Sequence, residues 1–119
     1  IEHSFHEAPK DFFNIISTLQ TEGYNVVLAH PERYQFYQID DYKKLIDNGV
    51  YLQLNLLSLT NYYSLNVLKK AKIMIDRKMF SFVGTDCHNQ QQAELYANCL
   101  RTNIFTDLVN KNFLLNHTL

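Results

Sequence analysis

An α/β fold built on a parallel sheet is predicted by three observations. Short apolar runs of strand length alternate with amphipathic stretches of helical spacing, in the order β-α-β-α-β-α-β-α-α. The run Val26 to Ala29 is continuously apolar, as suits a parallel strand covered on both faces. Two runs end in residues with ligand chemistry, at His30 and at Asp86 with His88, where parallel sheets place their sites. Right-handed crossovers would join about four parallel strands with flanking helices. An open sheet and a partial (β/α) barrel both fit this order.

The opening residues Ile1 to Phe5 read as the end of a first strand. Pro9 suits the first turn of a helix, in which Phe12, Ile15, Ile16 and Leu19 share one face and Gly23 forms the C-terminal stop. Tyr24 to Ala29 is the second strand, ended by Pro31. Asp40 is the expected N-cap of a short helix with Tyr42, Leu45 and Ile46 inward, closed by Asn48-Gly49. In the next strand, Val50 to Leu56, Leu52, Leu54 and Leu56 alternate with Gln53 and Asn55, which puts two amides on one face. Thr60 is the expected cap of a long helix reaching about Lys78. Phe80 to Gly84 is the last strand, Asn89 caps a helix to about Leu100, and Ile104 to Leu115 offers a final amphipathic helix.

With 119 residues there is room for one domain with a sizeable core. The net charge of −1 and the pI near 6.6 argue against nucleic acid or an acidic membrane as partner. No apolar run approaches the ~20 residues of a membrane span, so direct membrane insertion is not expected. The chain starts at Ile1 without Met or a signal-like segment, which reads as a piece of a longer protein. Two cysteines make no disulfide framework and suit a reducing, cytoplasmic setting. A cysteine-dependent phosphatase needs an arginine six residues after its thiolate. Those positions hold Ala93 and Phe105.

The candidate chemistry lies at the strand ends. In extended backbone, Asp86 and His88 would point to one side and could converge on one ion, with Cys87 turned to the core. Standing alone, the pair reads equally as a capping aspartate and a surface histidine. His30 offers an imidazole and Arg33 a fork for phosphate oxygens. The plain alternative is a polar turn with Glu32 and Arg33 paired at the surface. Glu2 is a carboxylate at the end of the first strand, and Gln53 and Asn55 are candidates to line the same site. His3, His6 and His117 read as surface or loop groups, and Tyr34, Tyr37, Tyr62 and Tyr63 as packing residues.

The blocks Ala29-His30-Pro31-Glu32-Arg33-Tyr34, Leu52-Gln53-Leu54-Asn55 and Val83-Gly84-Thr85-Asp86-Cys87-His88-Asn89 resemble the PHP (polymerase and histidinol phosphatase) superfamily. They are most similar to its branch of capsular and exopolysaccharide protein-tyrosine phosphatases. The resemblance runs from Ile1 to about Asn98 and leaves the tail after Leu100 uninformative. It implies that residues 1–119 are an incomplete PHP domain, a partial barrel lacking its N-terminal part. It implies divalent metal, usually manganese, with two or three ions in the complete centre. By the same resemblance Glu2, His30, Asp86 and His88 would be metal ligands. Arg33 would bind the phosphate, with His30 and Asp86 as its catalytic companions. The implied reaction is phosphomonoester hydrolysis by a metal-activated hydroxide. The substrate would be a phosphotyrosine protein, the tail of a polysaccharide-assembly tyrosine kinase.

The chain departs from that pattern twice. The family's His-x-His segment is absent, and Gln90-Gln91-Gln92-Ala93 stands where relatives carry a second arginine. These departures keep two alternatives open. One is a catalytically inactive piece that docks on the kinase, and the other is a different PHP phosphoesterase.

Overall fold

The computed structural model describes residues 1–7 and 9–119. At its centre lies a parallel sheet of β1 (Val27–Ala29), β2 (Tyr51–Asn55) and β3 (Phe82–Gly84), in that spatial order. Leu28 pairs with Leu52, and Leu54 pairs with Val83. Leu28, Leu52 and Leu54 are fully buried, so the middle strand is the floor of the core. The α/β expectation therefore holds, with three strands among the described residues rather than about four.

The missing strand is reduced to a single residue. Ile1 donates its terminal amine to the Val27 carbonyl at 2.6 Å and accepts from the Ala29 amide at 2.9 Å. That is the pairing of a parallel ladder, but residues 2–5 leave the edge instead of extending it. β1 is also shorter than the expected strand from Tyr24 to Ala29, since Tyr24 is 61% exposed and lies outside the sheet.

Helices α1 (Phe12–Thr21), α2 (Ile39–Asp47), α3 (Leu65–Asp76), α4 (Gln90–Cys99) and α5 (Asn103–Lys111) follow the predicted spacing, with local corrections at their starts. In α1, Phe12 and Ile16 are buried while Ile15 stays exposed. Gly23 follows with φ +91, a conformation few other residues take cheaply. The cap of α2 is Gln38, not Asp40, because Asp41 at the third helical position accepts from the Gln38 amide at 3.0 Å. The cap of α3 is Ser64, not Thr60. Thr60 instead donates its hydroxyl to the Leu57 carbonyl at 2.7 Å and closes a 3-10 turn, Leu56–Leu59. Asn89 caps α4 as expected, its side chain accepting from the Gln92 amide at 2.9 Å.

The segment after Leu100 is informative after all. Asn112 accepts from the Phe80 amide at 3.1 Å and donates to the Ile75 carbonyl at 3.1 Å. Asn116 accepts from the Val83 amide at 3.0 Å and donates to the Val83 carbonyl at 2.8 Å. One side chain thus does the work of a neighbouring strand, satisfying the outer edge of β3.

Candidate metal and phosphate site

The C-terminal ends of the three strands carry the chemistry, and two of them end in backbone reversals. His30 leaves β1 in the left-handed region, at φ 37 and ψ 50, while its amide donates to the Gln53 carbonyl at 2.8 Å. Proline then starts a 3-10 turn, Pro31–Arg33, that brings Arg33 back over the sheet end. Asp86 sits two residues beyond β3 with φ 50. The extended geometry expected for Asp86 and His88 does not persist, so a pleat cannot align them. The reversal places His88 Nδ1 at 2.7 Å from the Asp86 backbone oxygen and 3.7 Å from its carboxylate, on a side chain 70% exposed. The same reversal leaves Cys87 exposed, against the expectation of a core residue. Cys99 is the buried one.

The sheet end gathers Glu2, Ala29, His30, Gln53, Asn55, Gly84 and Asp86 around a cavity of ≈ 100 Å³. His30 Nε2 lies 2.9 Å from Glu2 Oε2, pairing a buried ring with an exposed carboxylate. The hydrogen bond from His30, and then the charge of that ring, hold Glu2 below the ordinary carboxylate range. The other ring nitrogen, His30 Nδ1, is buried without a hydrogen-bond partner. Across the cavity Arg33 donates to Asp86 Oδ2 at 3.3 Å, and Asn55 Nδ2 reaches the same oxygen at 3.3 Å. The Arg33 guanidinium packs on the rings of Phe5, at 4.4 Å, and Tyr63, at 4.2 Å. The structure thus brings Glu2, His30, Arg33 and Asp86 together, with His88 at the rim. The amides of Gln53 and Asn55 line the cavity, as their alternation suggested.

Sequence reasoning missed Glu32. It is 2% exposed, not paired with Arg33 at the surface. Its Oε1 accepts from the Ser58 hydroxyl at 2.6 Å and from the Asn55 amide at 3.1 Å, while Oε2 has no partner. Burial pushes its carboxyl up to about 7 despite those bonds. A polar residue directly after His-Pro carried no signal of burial. Phe5 was likewise unforeseen as a lid on Arg33. His3, expected at the surface, stacks on Tyr34 with ring centroids 4.1 Å apart. The packing expectation for Tyr34 holds, since it is fully buried.

The donors suit a divalent ion: two carboxylates and two imidazoles fit zinc, manganese or iron. Of the two nitrogens His30 offers, Nε2 lies on Glu2 and Nδ1 is buried without a hydrogen-bond partner. The arrangement consists of two pairs, Glu2 with His30 and Asp86 with His88. Among the described residues no group of three or more His, Cys, Asp or Glu side chains converges closely enough to hold an ion.

Residues 1–105 match the family described as capsular polysaccharide synthesis, CpsB/CapC. The chain belongs to that family. It is 32% identical over 91 residues to CapC of Staphylococcus aureus, a protein assigned as a tyrosine-protein phosphatase, covering 75% of this chain and 36% of CapC. A solved structure from work on YwqE of Bacillus subtilis and CpsB of Streptococcus pneumoniae, described as unique metal-dependent tyrosine phosphatases, has the same fold. It superimposes with a TM-score of 0.74 at 22% identity, over 92% of this chain and 49% of that one. The chain therefore spans about a third to a half of the relatives it matches. The CpsB/CapC match covers all three strand ends and the blocks on which the PHP resemblance rests.

Proposed function

We propose that these residues form one wall of a metal-dependent protein-tyrosine phosphatase acting in capsule and exopolysaccharide synthesis. The observation that carries this reading is Arg33. Its guanidinium rests on two aromatic rings and points an N–H at Asp86, beside the cavity that also holds Glu2 and His30. An arginine fixed by stacking presents a rigid fork, the geometry that phosphate oxygens take best.

In this reading Glu2, His30, Asp86 and His88 hold divalent cations, manganese foremost. Bound cations supply charge for the phosphoryl oxygens and an activated water. Arg33 binds the phosphate and keeps its hold as charge spreads over the oxygens. Phe5 and Tyr63 keep the planar guanidinium in place. Residues 1–119 are an incomplete PHP domain whose barrel and two- or three-ion centre are completed elsewhere in the protein. The phosphotyrosine substrate is the tail of a polysaccharide-assembly kinase in the cytoplasm. No described helix is long and apolar enough to cross a membrane.

The test compares phosphotyrosyl and phosphoseryl peptides as substrates of the full-length protein that contains these residues. Preference for the phosphotyrosyl peptide, lost in Arg33→Ala, is the expected result. Equal turnover of both peptides points to another PHP phosphoesterase, and unchanged turnover in Arg33→Ala overturns the phosphate-binding role.

A second reading has one observation in its favour, the run Gln90-Gln91-Gln92 where relatives carry a second arginine. In that case the chain is a binding module for the kinase. Binding of the kinase tail without hydrolysis of any phosphomonoester would select it.

A further inference from the structure

Asn55 closes the central strand at the point where the two outer strand ends meet, and it is 2% exposed. Each polar atom of its amide is used. Oδ1 accepts from the Leu57 amide at 3.0 Å and starts the following 3-10 turn. Nδ2 donates to the Tyr63 hydroxyl at 3.0 Å and to Asp86 Oδ2 at 3.3 Å. Only one orientation of the amide works. Turned over, it would set its oxygen against the Asp86 carboxylate and its NH₂ against a backbone N–H.

The two residues that Nδ2 holds are two that hold Arg33. Tyr63 lies under the guanidinium at 4.2 Å, and Asp86 accepts its N–H at 3.3 Å. The backbone of Asn55 is itself pinned, because its amide donates at 3.1 Å to the buried Glu32 carboxylate. Glu32 directly precedes Arg33, so one loop closes from Arg33 through Glu32 and Asn55 to Asp86 and back to Arg33.

We propose that Asn55 is a positioning residue, which sets the placement of the Arg33 guanidinium for phosphate by holding Tyr63 and Asp86 at once. This rests on the reading of Arg33 as the phosphate-binding group. Asn55→Asp isolates the role. It keeps the size of the side chain and the acceptor for Leu57, removes both donations, and puts a second carboxylate beside Asp86.

The test uses the metal-free full-length protein that contains these residues, with inorganic phosphate as the probe and the Arg33 Nε–Hε resonance as a local reporter. Packing on two rings should displace that resonance from its free-arginine position through ring currents. Asn55→Asp is expected to move it back toward that position and to weaken phosphate binding about tenfold or more. Core methyl resonances are expected to stay in place, which separates positioning from a general loss of structure. An unmoved Arg33 resonance overturns the proposal, as does a moved resonance with unchanged phosphate affinity.

If Asn55→Asp does not fold, Tyr63→Phe decides. It keeps the ring and removes only the hydroxyl that Asn55 holds, and a smaller change in the same direction is required. Arg33→Ala separates this proposal from the reading on which it rests. Should that variant bind phosphate like the wild type, the phosphate reading fails, and Asn55 is judged on the resonance alone.

Discussion

The guanidinium of Arg33 lies 4.2 Å from the centroid of the Tyr63 ring, although the two residues belong to different strand-end segments. The contact makes the phosphate-binding candidate a rigid group instead of a flexible surface arginine. Arg33→Lys should therefore be far from conservative, since lysine has neither the plane nor the fork. Turnover of a phosphotyrosyl peptide should fall on the order of a hundredfold, as for loss of a preorganised transition-state donor. Steady-state kinetics check this, and a loss of less than threefold would contradict it.

Glu32 gives the molecule a stability that depends on pH. Its carboxyl is raised from 4.5 to about 7 in the folded chain, so the folded state holds a proton that the unfolded state has released. Stability should then be fullest below about 4.5 and decline as pH rises through 7, by up to roughly 3 kcal/mol. Glu32→Gln keeps an acceptor for Ser58 and Asn55 without the ionisation. Relative to the wild type, it should gain stability between pH 5.5 and pH 8 in urea unfolding. A constant difference across that range would rule the effect out.

Glu2 has the opposite sign. Its pKa is lowered, chiefly by the hydrogen bond from His30, so what it adds is present above 4.5 and fades as pH falls through the lowered value. Its side chain is 71% exposed, and solvent keeps the contribution small. His30→Ala should return the Glu2 carboxyl to its ordinary range, which carboxyl NMR titration reads directly.

Much of this site was legible in the sequence because apolar runs of strand length deliver it. His30, Asp86 and the amides of Gln53 and Asn55 all lie where a parallel strand stops. The caps were less legible, since Thr60 and Ser64 are both competent and only the 3-10 turn after β2 decides between them. Reversals were not legible at all. Asp and His are enriched among non-glycine residues at positive φ, but neither type specifies it, and the reversal at Asp86 undid the expected alignment with His88. The burial of Glu32 follows from the turn at His30, so it was hidden for the same reason.

Tyr42 ties the core to the site. It is fully buried, and its hydroxyl donates to the carbonyl of Pro31, in the turn that carries Arg33. Tyr42→Phe removes that donation and leaves the carbonyl only the Tyr34 amide, at 3.2 Å, which should cost about 0.5–1.5 kcal/mol in chemical unfolding. A change below a few tenths of a kcal/mol would mean that water or another donor replaces the hydroxyl.

Gly84 lines the cavity, and a Cβ placed there would run into the Gln53 side-chain amide. The obstruction is the end of a flexible side chain, so Gly84→Ala should fold with a loss under about 1 kcal/mol. The displaced amide should still alter the cavity, and weaker Mn²⁺ binding by calorimetry in the full-length protein is the expected sign. Equal metal affinity would remove Gln53 and Gly84 from the site.

The most direct measurement is hydrolysis of a phosphotyrosyl peptide by the full-length protein before and after metal removal, alongside His30→Ala and Asp86→Ala. Chelation should abolish turnover, added Mn²⁺ should restore it, and either substitution should remove most of it in the presence of metal. Residues 1–119 alone should show negligible turnover and weak metal binding. Full activity after chelation, or wild-type activity in both variants, would contradict the assignment of these strand ends to a metal-dependent phosphatase.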